Sequence, residues 1–403
     1  MSRAYGYAFR THHLVPEGAY QVLRRAQELE AGGRPVIHLE IGQPDYDTFE
    51  NIKATGMRAI AEGQTRYSPP AGMWRLREAI AKQAGQQRGL NFDPSQVVVG
   101  PGAKPNLFFP ALAIIEPGDE VIYPNPGFPT YEAMIRVAGG KPIPVPLKEE
   151  NNFSFDLKAL RQLVNIQTRL VILNSPSNPT GGVMPLADLE EVARLAREFN
   201  CWVMSDEIYS RLVFDDLSVP SIASLPGMME RTIIVEGFSK TYAMTGWRLG
   251  YGIMPVELAQ VVELLLTHSI GCTAQFTQIA GIEALTGAQD QVAEMVREYQ
   301  KRRDIIVDGL NAIPGITCQK PQGAFYVFPN IKSFGKSSSE MADLLLEKAG
   351  VAVLPGTAFG EFGEGYLRLT YSNSIENIQK AIQQIGEVVR RLRRVNMVNE
   401  YDH

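Results

Sequence analysis

RLVILNSPSNPTGGVMPLADLEEVARLAREFNCWVMSDEIY, residues 169–209, sets two short apolar runs on either side of a helical stretch from Leu186 to Phe199. RLVILN and WVM are apolar almost throughout, without the alternation of a strand that has one wet face, so both read as strands buried on two sides. Strands of this kind joined by helices make a parallel-rich sheet with helices on both faces, an α/β layered architecture. The same unit recurs outward along the chain. QVVVG (96–100) precedes a helical segment from Pro105, and EVIYP (120–124) precedes one from Thr130 to Val137. TIIVEGFSK (232–240) and RLGYGIMP (248–255) are further strand candidates. Ligands gather beyond the carboxyl ends of such strands, which makes the residues just after each run the first candidates for function.

Three helical stretches follow between Pro255 and Leu310, the last long enough to link two domains. GAFYVFPNI (323–331), VAVLP (351–355) and YLRLTYS (366–372), with two helices, read as a smaller α+β unit. The helix near Glu17 to Ala31 and the strand VIHLEIG (36–42) are expected to pack on that unit. The expected division is a large domain over 46–290, a small domain from 14–45 and 291–395, an N-terminal arm over 1–13 and a flexible tail over 396–403.

Composition excludes several classes of function. Of 403 residues, 45% are hydrophobic and 21% charged, and the net charge of −5 comes from interspersed acids and bases. No basic face is offered to nucleic acid or anionic lipid. No apolar run approaches the ~20 residues of a membrane span, and MSRAYGYAFRTHH lacks the apolar core of a signal peptide, so the cytoplasm is the expected compartment. Cys201, Cys272 and Cys318 lie far apart without CxxC spacing and read as reduced, structural thiols. The five histidines show no ligand spacing, so no metal centre is expected.

The most informative stretch for chemistry is GFSKTYAMTGWRLGY, Gly237 to Tyr251, because it places Lys240 directly after an apolar strand. A lysine desolvated in a pocket can form an imine with a carbonyl, although a lysine so placed can equally be a solvated surface residue. SPSNPTGG from Ser175 and SDEIY from Ser205 also follow strands. Asn178 in the first is a turn former by composition alone. Asp206 in the second ends a buried run, where an unpaired carboxylate is costly and calls for a cation. A protonated ring nitrogen or a structural arginine would each serve.

NPTG, SDEIY, SKTYAMTGWRLGY and RLTYS, in this order and each after an expected strand, resemble the class I and II aminotransferases of pyridoxal-phosphate (PLP) fold type I, the aspartate aminotransferase-like superfamily. The resemblance runs from about Ile37 to Arg394. It implies a mostly parallel seven-stranded sheet, PLP as cofactor, and transfer of an amino group from an L-amino acid to a 2-oxo acid by a ping-pong route. By the resemblance Lys240 is the Schiff-base lysine and proton shuttle, and Asp206 keeps the pyridine nitrogen protonated. Asn178 and Tyr209 bond the phenolic oxygen, and Phe128 in NPGFPTY stacks on the ring. Gly102, Ala103 and Lys104 cradle the phosphate with Arg248, and Ser239 is a further candidate there because Gly237 stands where many relatives carry a serine. Arg368, with the backbone at Gly42, grips the substrate α-carboxylate. Tyr67 in TRYSPPAG reaches the partner's phosphate, which implies a homodimer with shared active sites.

Three rivals fit parts of the pattern. C–S lyases and aminocyclopropane-carboxylate synthases use the same scaffold. PLP-binding sensor domains are fused to DNA-binding modules, for which the chain shows no N-terminal extension or basic patch. A cofactor-free lysine aldolase would leave Asp206, Asn178 and the phosphate cradle without a purpose. For the substrate side chain, THSIGCTAQFTQ (267–278) with Tyr5, Tyr7 and Phe9 could line an apolar or aromatic pocket, which favours neutral donors over aspartate.

Overall fold

In the computed structural model, which describes residues 6, 8–12 and 14–401, the apolar runs become strands of one large sheet. In chain order the strands are β1 (Ile37–His38), β2 (Val97–Gly100), β3 (Glu120–Asn125), β4 (Lys141–Lys148), β5 (Ser154–Phe155), β6 (Thr168–Asn174) and β7 (Trp202–Asp206). There follow β8 (Thr232–Gly237), β9 (Gly250–Ile253), β10 (Tyr326–Val327), β11 (Val351–Ala352), β12 (Leu354–Pro355) and β13 (Leu367–Thr370). The large sheet has the order β2-β9-β8-β7-β6-β3-β4-β5. From β8 to β4 it is parallel, while β9 runs antiparallel to both neighbours and β5 antiparallel to β4. Every residue of β2, β3, β8 and β9 is buried, as two covering layers of helices require.

The sheet has eight strands rather than the expected seven, because the two-residue β5 returns against the end of β4. β4 itself, KPIPVPLK, does not read as a strand, since proline removes a ladder donor. Its prolines recur at every second residue, so their missing donors all fall on one side. Lys141 gives its N–H to Asp119 on the β3 side, whereas the Pro146 carbonyl faces the other way and accepts from Asp156. The ladder to β3 is therefore intact, and the donor-free side meets β5 only at Leu147 and Lys148.

The two chain ends meet as expected: β1 pairs in parallel with β11, and β10-β13-β12 form an antiparallel sheet. Ala26 of the helix Gly18–Ala31 packs against Leu346 and Ala352. The 22-residue helix Asp290–Asn311 connects this region to the large sheet. One apolar cluster contains Val99, Phe238 and Tyr251 together with Phe325, Val351 and Leu369, so the core is continuous between them. The last helix, Ile375–Tyr401, runs on past Arg394 into the stretch that the sequence reading treats as a tail. Tyr5, Tyr7 and the side chain of Phe9 lie outside the described residues. No helix among those described is long and apolar enough to cross a membrane.

Candidate active site

In the register of the central strands Asn174 of β6 lies beside Asp206 of β7, which lies beside Val235 of β8. Two residues further β8 ends at Gly237, and the short helix Phe238–Thr241 carries Lys240 over the strand ends. A cavity of about 550 Å³ opens there, lined by Gly42, Ala103, Lys104, Phe128, Asn178, Asp206, Tyr209, Ser239, Lys240, Arg248 and Arg368. Of the residues selected from sequence, Gly102 lies just behind this lining and Tyr67 stands away from it, 95% exposed.

Asp206 is buried, and no cationic side chain pairs with it among the described residues. Its Oδ2 accepts the hydroxyl of Tyr131 at 2.7 Å and its Oδ1 the N–H of Ile208 at 3.2 Å. Burial outweighs these bonds and pushes the carboxyl up to about 6. A structural arginine partner is thus not what Asp206 has. Behind it Arg88 bridges Glu207 and Glu236 at 2.7 and 2.8 Å, with all three side chains buried. Both acids act on Asp206 in the same sense as burial.

The Lys240 amine donates to the Gly42 carbonyl at 2.6 Å. Burial, then the positive charges of Arg368, Arg248 and Lys104, push it down to about 8. An amine so lowered keeps far more of its neutral, nucleophilic form near physiological pH than a free lysine does. Gly42 takes part through its carbonyl, and a Cβ there would lie 2.1 Å from the Tyr326 hydroxyl.

Arg368 of β13 is buried between the rings of Tyr326 and Phe359, at 4.5 and 5.0 Å from their centres. It donates to the Glu40 carbonyl and, at 3.3 Å, to Asn178 Oδ1, while its Nε has no partner. It is buried, and no carboxylate pairs with it among the described residues. Tyr209 shares a 2.8 Å hydrogen bond with Tyr326, both hydroxyls being buried beside Asn178 and Arg368.

At the other end of the cavity the chain turns tightly from β2 into the helix Lys104–Ile114. Gly102 has φ +94°, and a Cβ on it would meet Arg248 Nη2 at 2.2 Å. Arg248 itself has φ 55°, a strained value for a side-chain-bearing residue, and reaches back to the Pro101 carbonyl at 3.3 Å. A helix start beside a guanidinium is an anion site. The Lys104 ammonium is paired with Glu17 and lies 5.3 Å from the centre of the Phe128 ring. Gly237 is packed so closely that a Cβ would stand 3.1 Å from Gly250 Cα, whereas Ser239 faces the cavity.

A buried acid without a cation, an amine held partly neutral, an aromatic ring and an anion cradle at one set of strand ends together suit a flat phosphorylated pyridine aldehyde. This donor set defines a PLP enzyme. The sequence profile of aminotransferase class I and II matches residues 34–385, and the chain belongs to that family of PLP-dependent aminotransferases. It is 41% identical to the aspartate aminotransferase of Pyrococcus abyssi over 91% of this chain and 95% of that one. To aromatic-amino-acid aminotransferase 2 of Thermococcus litoralis it is 40% identical, with the same coverages. The solved aspartate aminotransferase of Thermus thermophilus with maleate superposes with a TM-score of 0.91 at 38% identity, covering 96% of this chain and all of that one. These likenesses favour transamination over the lyase and synthase alternatives.

Several site residues escape the sequence reading. Tyr131 stands in NPGFPTY beside the chosen Phe128, and Tyr326 in GAFYVFPNI, but neither motif says where its hydroxyl points. Glu17 lines the cavity from the start of the first helix, where the sequence shows only a helix beginning. Conversely, nothing from 267–278 lines it; Cys272, Thr273, Phe276 and Thr277 border a separate open depression with Trp247 and Arg248.

Proposed function

We propose that this aminotransferase takes the amino group from an L-amino acid and gives it to a 2-oxo acid in two half-reactions at one site, with Lys240 carrying PLP and moving the Cα proton. The single observation that supports this most is that Lys240 and Asp206 face one cavity with opposite displacements, the amine toward neutrality and the acid toward protonation. Bound PLP supplies an electrophilic carbonyl and a ring that accepts the electron pair released at Cα. Asp206 holds the ring nitrogen cationic, and Asn178 and Tyr209 hold the phenolic oxygen. Phe128 covers one ring face. The N–H groups of Gly102, Ala103 and Lys104, with Arg248 and Ser239, hold the phosphate. Arg368 and the backbone at Gly42 bind the α-carboxylate.

The assembly in this reading is a cytoplasmic homodimer whose sites are completed by Tyr67 of the second chain. Support comes from the full exposure of Tyr67 and from Met57 and Ile60, also exposed, which border the depression beside Arg248. Residues 46–290 then form the large domain, and 14–45 with 291–395 the small one that carries Gly42 and Arg368. The names of the relatives frame the donor as acidic or aromatic. Purified with PLP, Lys240→Ala is expected to lose both turnover with every donor and the visible absorbance of the bound cofactor. Retention of both would refute the assignment of Lys240.

A further inference from the structure

Once the proposed roles are assigned, two charges in the cavity remain. Lys240 belongs to the cofactor aldehyde, Arg248 to the phosphate, Arg368 to the α-carboxylate and Asp206 to the ring nitrogen, which leaves Glu17 and Lys104, bonded to each other. Their charges reach the reacting centre: Glu17 acts on Arg368 and Lys240, and Lys104 acts on Lys240. Lys104 is held from two sides, by the Glu17 carboxylate and by the face of Phe128. The cavity wall next to Glu17 is supplied by Ala19, Tyr20 and Ile41, which carry no charge. With the α-carboxylate assigned to Arg368, Glu17, Tyr20 and Ile41 are among the lining residues left to meet a substrate side chain.

We propose that Glu17 sets the side-chain selectivity of the enzyme by occupying Lys104, so that donors with neutral side chains, aromatic ones included, are favoured over acidic ones. The inference rests on the site assignment above. A neutral side chain leaves the Glu17–Lys104 pair in place and covers apolar surface at Tyr20 and Ile41. A side-chain carboxylate has to displace Glu17 from Lys104 and then lie beside a like charge, which is a device of exclusion as much as of attraction. The two side chains are 30% and 46% exposed, so solvent screens the pair and the discrimination is about tenfold rather than thousands-fold.

The test uses the PLP-loaded enzyme, its Glu17→Gln variant and the double variant Glu17→Gln/Lys104→Met, titrated calorimetrically with maleate and with hydrocinnamate. Glu17→Gln is expected to tighten maleate about tenfold and to change hydrocinnamate by less than about threefold. The second substitution removes the gain by taking away the cation that was set free. The ratio of kcat/KM for aspartate to that for phenylalanine rises in step, and less so at high salt. An unchanged maleate affinity in Glu17→Gln, with hydrocinnamate still bound, overturns the role of Glu17 and leaves the site assignment standing. A wild-type enzyme that binds neither ligand overturns the site assignment, and this proposal with it.

Discussion

Tyr131, from the helix after β3, donates its hydroxyl to Oδ2 of Asp206 at the end of β7, across 2.7 Å of buried space. This bond opposes burial, since it favours the ionised acid that burial disfavours. Tyr131→Phe keeps the ring against Phe128 but raises Asp206 further above about 6. The acid limb of the kcat/KM profile should move to higher pH, and kcat should fall about tenfold, the loss of one charge-assisted hydrogen bond. A profile superimposable on the wild type would refute the coupling.

Asp206 stores instability that binding of a cation relieves. Its folded-state value, about 6, lies above that of an unfolded chain, so folding favours the protonated form, and the ionised acid weakens the fold as pH rises through 6. In cofactor-free protein Asp206→Asn should therefore raise Tm at neutral pH, by a gain on the order of 2 kcal/mol that fades toward pH 4. The same variant should be inactive when loaded, a trade of function for stability. Thermal scans across pH, with and without PLP, read both effects.

Arg368 can be tested by shape rather than charge. Lysine keeps the charge but cannot make a two-point contact with a carboxylate. Arg368→Lys should raise KM for the amino donor about tenfold, and Arg368→Ala about a hundredfold, with smaller changes in kcat. Stopped-flow half-reactions at varied donor concentration separate the two quantities; equal losses in kcat alone would place Arg368 outside the binding step.

Arg88 neutralises two buried acids behind Asp206, none of the three lining the cavity. Arg88→Met leaves Glu207 and Glu236 without their cation and should cost about 3–5 kcal/mol, seen as a lowered Tm by scanning calorimetry. A variant as stable as wild type would mean that the hydroxyls of Ser205, Ser210, Ser221 and Tyr251, which already bond these acids, suffice.

Tyr67 calls for a mixing experiment. Tyr67→Ala should hold PLP less tightly on dialysis, and mixing it with Lys240→Ala should recover cofactor retention and activity in hybrid dimers that hold one intact site. Absence of recovery in verified hybrids would remove Tyr67 from the neighbour's site.

The sheet was legible because its strands are buried on both faces and so write themselves as apolar runs; RLVILN and TIIVEG need no context to be read. β4 was not, since its ladder depends on which side each proline faces, a property of pairing rather than of composition. Lys240, Asp206, Asn178, Arg248 and Arg368 could be picked out because each sits in a motif within or just after a strand, and all five line one cavity. Glu17 and Tyr131 were not found as site residues. Their importance lies in a partner 87 or 75 residues away, Lys104 and Asp206, which no local pattern encodes. The stretch 267–278, expected to line an aromatic pocket, lies outside this chain's cavity and borders the depression beside Trp247 instead.

The alternating prolines of β4 also govern how copies of the protein treat one another. A flank that lacks amide hydrogens at Pro142, Pro144 and Pro146 keeps only carbonyl acceptors, so beyond the short β5 it offers an incoming strand no donors with which to complete a ladder. Self-recognition is thereby denied to this margin and left to other surfaces of the chain.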